Sequence, residues 1–337
     1  MKFVFEHQNY FHPSVIPYRG KLMMVMQKQL AMDLYEQPVF TFSDDEGEHW
    51  DEPAVIPSLQ KCEKCADFRP LPLPDEQTAG IIGLVKNGKG YKTVYLIYDG
   101  QWSEPIEIPG LTHEDDRAAG TQAAVAPDGT LIIAFFRMEK PGYFSTVTRK
   151  YRLQAQRLIH LESGIPLVRP VGRGWYEPSV IRKNNLFYLT LRCDENCAFL
   201  ARSPDGLHWS EPVKWQFSDG TLLETGPTQQ HWMKFKDELW LVYTRHDSTN
   251  EDCFRWRTPM FAAPFDEEIM WLDRTREQII MLRIDYRERP GLLGNFNVTN
   301  LPDKVYISDS YLWFDWTSDR EAIAWFSTSV AIKTITF

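Results

Sequence analysis

Glu177 and Arg192 are the two residues whose types and spacing most directly suggest chemistry in this chain. They are 15 residues apart, about the length of one β-hairpin. Two successive antiparallel strands would bring both side chains to the same end of a sheet. An arginine beside a carboxylate can hold an anionic substrate, or it can form a purely structural ion pair with the glutamate.

Further polar residues occur where strand-like segments begin. They are His12, Thr121, Gln122, Glu177, Gln229, Gln230, His231 and Asn295, with Asp115, Asp116 and Arg117 just before one of these segments. A sugar-binding site requires such a mixture of carboxylates, imidazoles, amides and arginines. We therefore predict a carbohydrate as the partner of these residues.

Two acid–base arrangements are open. Asp33 with Glu177 would supply two carboxylates for glycosidic hydrolysis, with Glu36 as the second choice for Asp33. His12 or His231, acting with a tyrosine or arginine, would instead suit proton abstraction next to a uronate carboxylate, because the imidazole pKa lies near neutrality. Each histidine has the alternative of a neutral, hydrogen-bonded structural role.

A repeated unit must position these residues. The pentapeptides HWDEP, QWSEP and HWSEP place tryptophans at Trp50, Trp102 and Trp209, so the separations are 102 − 50 = 52 and 209 − 102 = 107 residues. These values correspond to one and two periods of roughly 53 residues. A chain of 337 residues holds six such units.

Each unit has the pattern of paired β-hairpins. Tight polar turns precede apolar strands at residues 19–26, 128–134 and 236–242, and helical periodicity is almost absent. Four antiparallel strands repeated six times predict an all-β, six-bladed β-propeller that spans residues 1–337 as one domain. The strand-like runs at both chain ends are expected to pair within one blade and close the ring.

A turn motif at residues 43–50 fits the pattern S-x-D-x-G-x-x-W, and residues 203–209 carry a version shortened by one residue. Asp45 can accept backbone N–H groups across the turn, Gly47 can adopt positive φ, and Trp50 can pack between strands. The motif resembles the Asp-box of sialidases. The chain resembles the sialidase superfamily along nearly its whole length.

That resemblance implies a site with three arginines around the substrate carboxylate, a tyrosine nucleophile, a glutamate that activates the tyrosine, and an aspartate acid/base. Glu177 matches the activating glutamate, Arg192 the second arginine and Asp33 the acid/base. The candidates for the third arginine are Arg245, Arg255 and Arg257, of which Arg257 has the better strand context.

Two positions depart from the sialidase pattern. The first unit has Phe-His-Pro at residues 11–13, where sialidases have Arg-Ile-Pro, so the first arginine is missing. The last unit opens at residues 294–297 with Phe296 where the tyrosine is expected, and Tyr286 is the nearby candidate to replace it. Both losses argue against ordinary sialoside hydrolysis.

Composition limits the partners and the compartment. A formal net charge of −9 argues against binding to nucleic acids or anionic membranes. The chain shows neither a signal-peptide pattern nor an apolar run of about 18 residues, so we expect a cytoplasmic protein. The five cysteines are expected to be reduced thiols, with no metal and no cofactor. The sequence does not indicate an oligomeric state.

The sequence thus predicts a carbohydrate-active enzyme, with a glycoside hydrolase of short acidic or deoxy-sugar oligosaccharides as the first hypothesis. A lyase of uronate oligosaccharides is the second. The third is a non-catalytic propeller that binds sugar or protein.

Overall fold

A computed structural model gives the structure of the protein and describes residues 1–31, 34–88, 90–111, 116–118, 122–316 and 323–336. Within these ranges, six antiparallel sheets of four or five strands form the blades of a ring. The prediction of an all-β, six-bladed propeller is confirmed.

The strands follow one another along the chain blade by blade. The opening strand, β1 (Lys2–Phe5), belongs to the sixth blade. The first blade contains β2 (Tyr10–Tyr18), β3 (Lys21–Ala31), β4 (Leu34–Ser43) and β5 (Ala54–Val55). The second contains β6 (Lys64–Leu71), β7 (Ala79–Asn87), β8 (Gly90–Tyr98) and β9 (Ile106–Glu107). The third contains β10 (Asp116–Arg117), β11 (Ala124–Val125), β12 (Leu131–Lys140), β13 (Tyr143–Gln154) and β14 (Arg157–Ser163).

The second half of the chain repeats this order. The fourth blade contains β15 (Tyr176–Lys183), β16 (Leu186–Arg192), β17 (Ala198–Ser203) and β18 (Val213–Lys214). The fifth contains β19 (His231–Phe235), β20 (Glu238–Thr244), β21 (Met260–Asp266), β22 (Trp271–Leu272) and β23 (Gln278–Met281). A short hairpin follows, made of β24 (Asp285–Tyr286) and β25 (Arg289–Pro290). The sixth blade contains β26 (Asn297–Asn300), β27 (Lys304–Trp316), β28 (Ile323–Thr336) and β1.

Helical structure in the described ranges is limited to three single 3₁₀ turns, at Pro57–Leu59, Phe254–Trp256 and Arg274–Arg276. None of them is long or apolar enough to pass through a lipid bilayer.

The two ends of the chain meet in the sixth blade. β1 pairs antiparallel with β28, where Lys2 lies opposite Ile332 and Phe5 opposite Val330. The sheet order β1-β28-β27-β26 puts the N-terminal strand at the outer edge and β26 at the inner edge. The ring is therefore held by main-chain hydrogen bonds between strands from opposite ends of the chain.

Apolar side chains fill the space between neighbouring blades. Trp215 of the fourth blade packs on Trp232 of the fifth, with ring centroids 5.5 Å apart. Both indole rings are fully buried, and their N–H groups donate to Oγ1 of Thr190 and to the carbonyl of Ser179. These two tryptophans thus bury a large apolar surface while both of their N–H groups keep a hydrogen-bond acceptor.

The turns at residues 43–50 and 203–209 each join the third strand of a blade to the fourth. Oδ1 of Asp205 accepts hydrogen bonds from the N–H groups of Leu207 and His208, both at 2.9 Å. Oδ1 of Asp45 accepts from the N–H of His49 at 2.8 Å, and the glycine two residues after Asp45 has a φ of 91°. Both turns therefore have the hydrogen bonds that the sequence motif predicts.

Replacing the Asp205 carboxylate should weaken its turn without changing the fold. We expect Asp205→Ala to lower the free energy of unfolding by about 1–2 kcal/mol, because two backbone N–H groups lose a charged acceptor. Urea unfolding measures this free energy, with the exposed Glu211→Ala, in the same connection between β17 and β18, as the control. Equal stability of the two variants would show that the carboxylate does not hold the turn.

Candidate active site

A cavity of about 680 Å³ lies where the inner strands of the blades begin. Each of the six blades contributes to its wall. The lining includes one side chain from each blade; in blade order these are His12, Asp67, Arg117, Glu177, Arg257 and Asn295. The cavity is therefore one mouth of the central channel of the ring.

Three of these residues occupy equivalent irregularities in the pairing of their strands. The inner strands β2, β6 and β15 each have a break in pairing register at the same relative position. At these breaks His12, Asp67 and Glu177 have positive φ values of 54°, 53° and 44°. Such a conformation costs a non-glycine residue about 1–3 kcal/mol and is concentrated at functional sites.

Glu177 and Arg192 lie side by side at the cavity. Arg192 pairs with Tyr176 across β15 and β16, and its guanidinium donates to the carboxylate of Glu177. The two side chains are 20% and 7% exposed, so the pair is largely shielded from solvent. The guanidinium also lies 4.8 Å from the centre of the Tyr176 ring. This is the arrangement that the hairpin spacing predicts.

Further arginines make this side of the cavity basic. Arg255 and Arg257 line it, and neither is at ion-pair distance from a carboxylate of the described residues. Burial and the nearby Arg192 lower the pKa of both, that of Arg257 to about 10. Arginine keeps its proton at neutral pH, so within the described ranges these two guanidinium groups carry positive charge with no carboxylate at ion-pair distance.

Two buried charged residues hold the segment that opens the sixth blade. Arg69 donates to the carbonyls of Asn295 and Phe296 at 3.2 and 3.3 Å. Asp309 accepts from the N–H of Gly294 at 2.6 Å. Both side chains are at most 1% exposed, and the sequence pattern gives no indication of a role for either. Their contribution to the site is to fix Asn295 at the cavity.

His231 lies behind the cavity wall. Its Nδ1 is 2.6 Å from Oγ of Ser179, and its Nε2 is 3.3 Å from Oε1 of Gln229, which does line the cavity. Burial and then Arg69 lower the pKa of His231 to about 3. The imidazole is therefore neutral and supports Gln229, and its predicted role as a proton donor or acceptor does not fit this position.

Gln122 and Tyr286 are not at the cavity. The Gln122 amide bonds to both the N–H and the carbonyl of Trp232 and lines a second cavity, of about 310 Å³, at the opposite ends of the inner strands. Tyr286 lies in β24, with its ring against those of His7 and Trp313. Gln122 was placed at the wrong end because a strand start can point to either end of the channel, and Tyr286 was placed wrongly because it belongs to a short hairpin before the sixth blade.

Asp116 and Arg245 are engaged in structural ion pairs. Asp116 is fully buried between Arg137 at 2.7 Å and Arg149 at 2.6 Å. Arg245 pairs with Glu277 at 2.7 Å. Neither belongs to the cavity wall, whereas Arg257, the preferred candidate for the third arginine, does.

The remaining predicted residues fall into three groups. Arg117 lines the cavity, and its guanidinium lies 5.9 Å from the Tyr91 ring centre. Gln230 is buried, with its amide donating to the carbonyl of Thr228, and Glu36 is exposed. Outside the described residues are Asp33, Asp115 and Thr121. In the described part of the chain, no group of three or more His, Cys, Asp or Glu side chains could hold a metal.

Comparison with solved structures identifies the architecture. Trypanosoma rangeli sialidase in complex with sialic acid superposes with a TM-score of 0.64 at 14% identity, over 97% of this chain and 54% of that protein. The chain has the sialidase fold. A Hadza microbial sialidase superposes with a TM-score of 0.65 at 12% identity, over 97% of this chain and 66% of that protein. NanB sialidase from Streptococcus pneumoniae superposes with a TM-score of 0.64 at 10% identity, over 99% of this chain and 69% of that protein.

The chain thus spans about half the length of the Trypanosoma sialidase. No protein-family model matches its sequence, and no curated protein is significantly similar to it. At these identities the likeness establishes the fold alone.

The buried Asp309 should make stability depend on pH. Burial raises its pKa to about 7, although hydrogen bonds from Gly294 and Ser310 act in the opposite direction. Because this value lies above that of an unfolded aspartate, the folded chain holds a proton that the unfolded chain releases. The free energy of unfolding should therefore fall as pH rises from about 4 to 7.

Asp309→Asn should remove this dependence, reducing the slope by up to about 1.4 kcal/mol per pH unit. Urea unfolding across the window measures the slope, with the exposed Asp303→Asn as the control. An unchanged slope in the Asp309 variant would show that this carboxyl does not titrate there.

Proposed function

We propose that the central cavity binds an acidic sugar and that the protein hydrolyses the glycosidic bond of a short acidic or deoxy-sugar oligosaccharide. The observation that carries the proposal is the meeting of Arg192, Arg255 and Arg257 beside Glu177 in one cavity. Such a group of arginines can hold a carboxylate through paired N–H donors.

The charges in the wall favour an anionic ligand. Glu177 neutralises Arg192, whereas Arg255 and Arg257 have no carboxylate at ion-pair distance in the described ranges. Burial strengthens the attraction of such charges for an anion, because water no longer screens them. Phe254, which is 40% exposed at the cavity, offers a flat apolar face of the kind on which sugar rings stack.

The roles follow from these positions. Arg192 and Arg257 would hold the acidic group of the sugar. Glu177, next to them, would place a negative charge beside the sugar carbon that becomes positive when the glycosidic bond breaks. Asp33 stays the predicted acid for the leaving oxygen, and it lies outside the described residues.

A uronate lyase is the second candidate, because the neutral imidazole of His12 lies at the same cavity. An imidazole base near an arginine-bound uronate suits proton abstraction from the carbon beside the carboxylate. The products separate the two reactions, since elimination leaves an unsaturated uronate that absorbs in the ultraviolet and hydrolysis does not.

An ordinary sialoside should not be a substrate. The position expected to hold the tyrosine nucleophile lies in a segment where Gly294 and Phe296 supply no nucleophilic oxygen. With a fluorogenic umbelliferyl sialoside we expect no release of the fluorophore above a buffer control. Turnover at about 1–10³ per second would contradict this assignment of the site.

Glu177→Gln should abolish most turnover while preserving the fold, because it keeps the shape and removes the charge. Wild type is first assayed against short oligosaccharides and aryl glycosides that end in a uronic acid. On the substrate that is cleaved, kcat should fall by about 10²–10³-fold in the variant, because the charge that stabilises the transition state is lost, and the exposed Glu211→Gln should match wild type.

Three outcomes would contradict the proposal. Full activity of the Glu177 variant would make this residue structural. An ultraviolet-absorbing product would establish the lyase. Absence of turnover on the entire panel, with binding intact, would establish a non-catalytic sugar-binding propeller.

A further inference from the structure

His12 and Asp67 form a close pair that the charge pattern of the sequence did not reveal. They come from neighbouring blades and occupy equivalent breaks in strand pairing, both with positive φ. Nδ1 of His12 lies 3.1 Å from Oδ1 of Asp67. The two atoms are close, but their geometry is not that of a hydrogen bond. Catalytic pairs often have such poorly aligned contacts before substrate binds and form the hydrogen bond in the complex.

The surroundings of His12 keep its ring neutral. Burial comes first in lowering its pKa well below the ordinary value, and Arg69 and Arg257 lower it further. In the described part of the chain, the charged and titratable groups that face the ring are these two arginines, Asp67 and Tyr35, whose ring centroid is 5.2 Å away. A neutral imidazole with one nitrogen directed at a carboxylate has its other nitrogen free to accept a proton.

We propose that Asp67 is a positioning residue that holds His12 as the general base of the hydrolysis, with Nδ1 protonated and Nε2 accepting the proton of the attacking water. The inference rests on the proposed function and deepens it. It assigns to His12 the role that a second carboxylate plays in many glycoside hydrolases.

The reaction step balances with the groups named. The water oxygen bonds to the anomeric carbon while its proton passes to Nε2 of His12. The bond from that carbon to the leaving oxygen breaks, and its electron pair stays on the oxygen, which takes a proton from a separate acid. Because this is a single displacement, the product sugar has the inverted anomeric configuration.

Because His12 and Asp67 both have positive φ, the same replacement residue can be used at both positions. Asparagine tolerates positive φ better than most residues, so His12→Asn and Asp67→Asn remove the functional groups with little change in main-chain cost. Asp75→Asn is the control, because Asp75 is exposed and lines the second cavity at the other end of the channel.

The first experiment needs no substrate. Nitrogen NMR of protein with ¹⁵N-labelled histidine, assigned by the missing signal in His12→Asn, reports the protonation of each ring nitrogen. We expect a neutral His12 with its proton on Nδ1 at neutral pH. In Asp67→Asn the pKa of His12 should fall further, because the imidazolium loses a neighbouring negative charge. A proton on Nε2, or an unchanged pKa of His12 in the Asp67 variant, would overturn the proposal that Asp67 positions His12.

The second experiment is a double-mutant cycle on the substrate found for wild type. We expect kcat to fall by about 10²–10⁴-fold in His12→Asn and by a comparable factor in Asp67→Asn. The double variant should be no slower than His12→Asn, because Asp67 acts through His12. The acidic limb of the kcat/KM profile should move to lower pH in Asp67→Asn, which a merely structural aspartate would not cause.

The outcomes distinguish this inference from the proposed function. Turnover with retained configuration, or additive losses in the double variant, would overturn the role of the pair while leaving hydrolysis established. Absence of turnover across the panel would overturn the proposed function and with it the catalytic role, and a correct tautomer would then mark a structural pair. Inversion with a non-additive cycle would establish both.

Discussion

The antiparallel pairing of β1 with β28 is the interaction on which the rest of the structure depends. It joins the two ends of the chain in one sheet, so the ring has no open edge between the first and sixth blades. Six inner strands are thereby held around one axis, and their first residues must face each other across a narrow space. The cavity exists because the ring is closed, and its wall is shared among all blades.

This convergence explains why the site is so strongly charged and so well supported. Polar side chains that are fully buried near the axis need hydrogen-bond partners there. Arg69 and Asp309 meet this need by binding main-chain groups of residues 294–296. Among the residues that the structure describes, Arg255 and Arg257 line the cavity without a carboxylate at ion-pair distance, and the proposed acidic ligand would neutralise them.

Much of the fold was predictable, because the repeat leaves a regular trace in the sequence. The spacing of Trp50, Trp102 and Trp209 predicted six units, and the hairpin length predicted that Glu177 and Arg192 would meet. Both follow from the period of β-strands and from turn chemistry, which are local properties. These predictions required no knowledge of how the blades pack.

The rest of the site depends on geometry that is not local. Asp67 was missed because only a break in strand register, with positive φ, turns its side chain to the cavity. Gln122 was placed at the wrong mouth of the channel, because its amide is held by a neighbouring blade. Arg245 has a partner in Glu277, which lies 32 residues away in the chain. Such contacts arise only when distant segments pack together.

We propose that the basic side of the cavity binds the acidic group of a sugar. A crystal structure of the protein soaked with glucuronic or galacturonic acid tests this binding most directly. We expect one sugar in the central cavity, with its carboxylate at hydrogen-bond distance from Arg192 or Arg257. A sugar bound only in the second cavity beside Gln122, or a carboxylate directed away from the arginines, would contradict it.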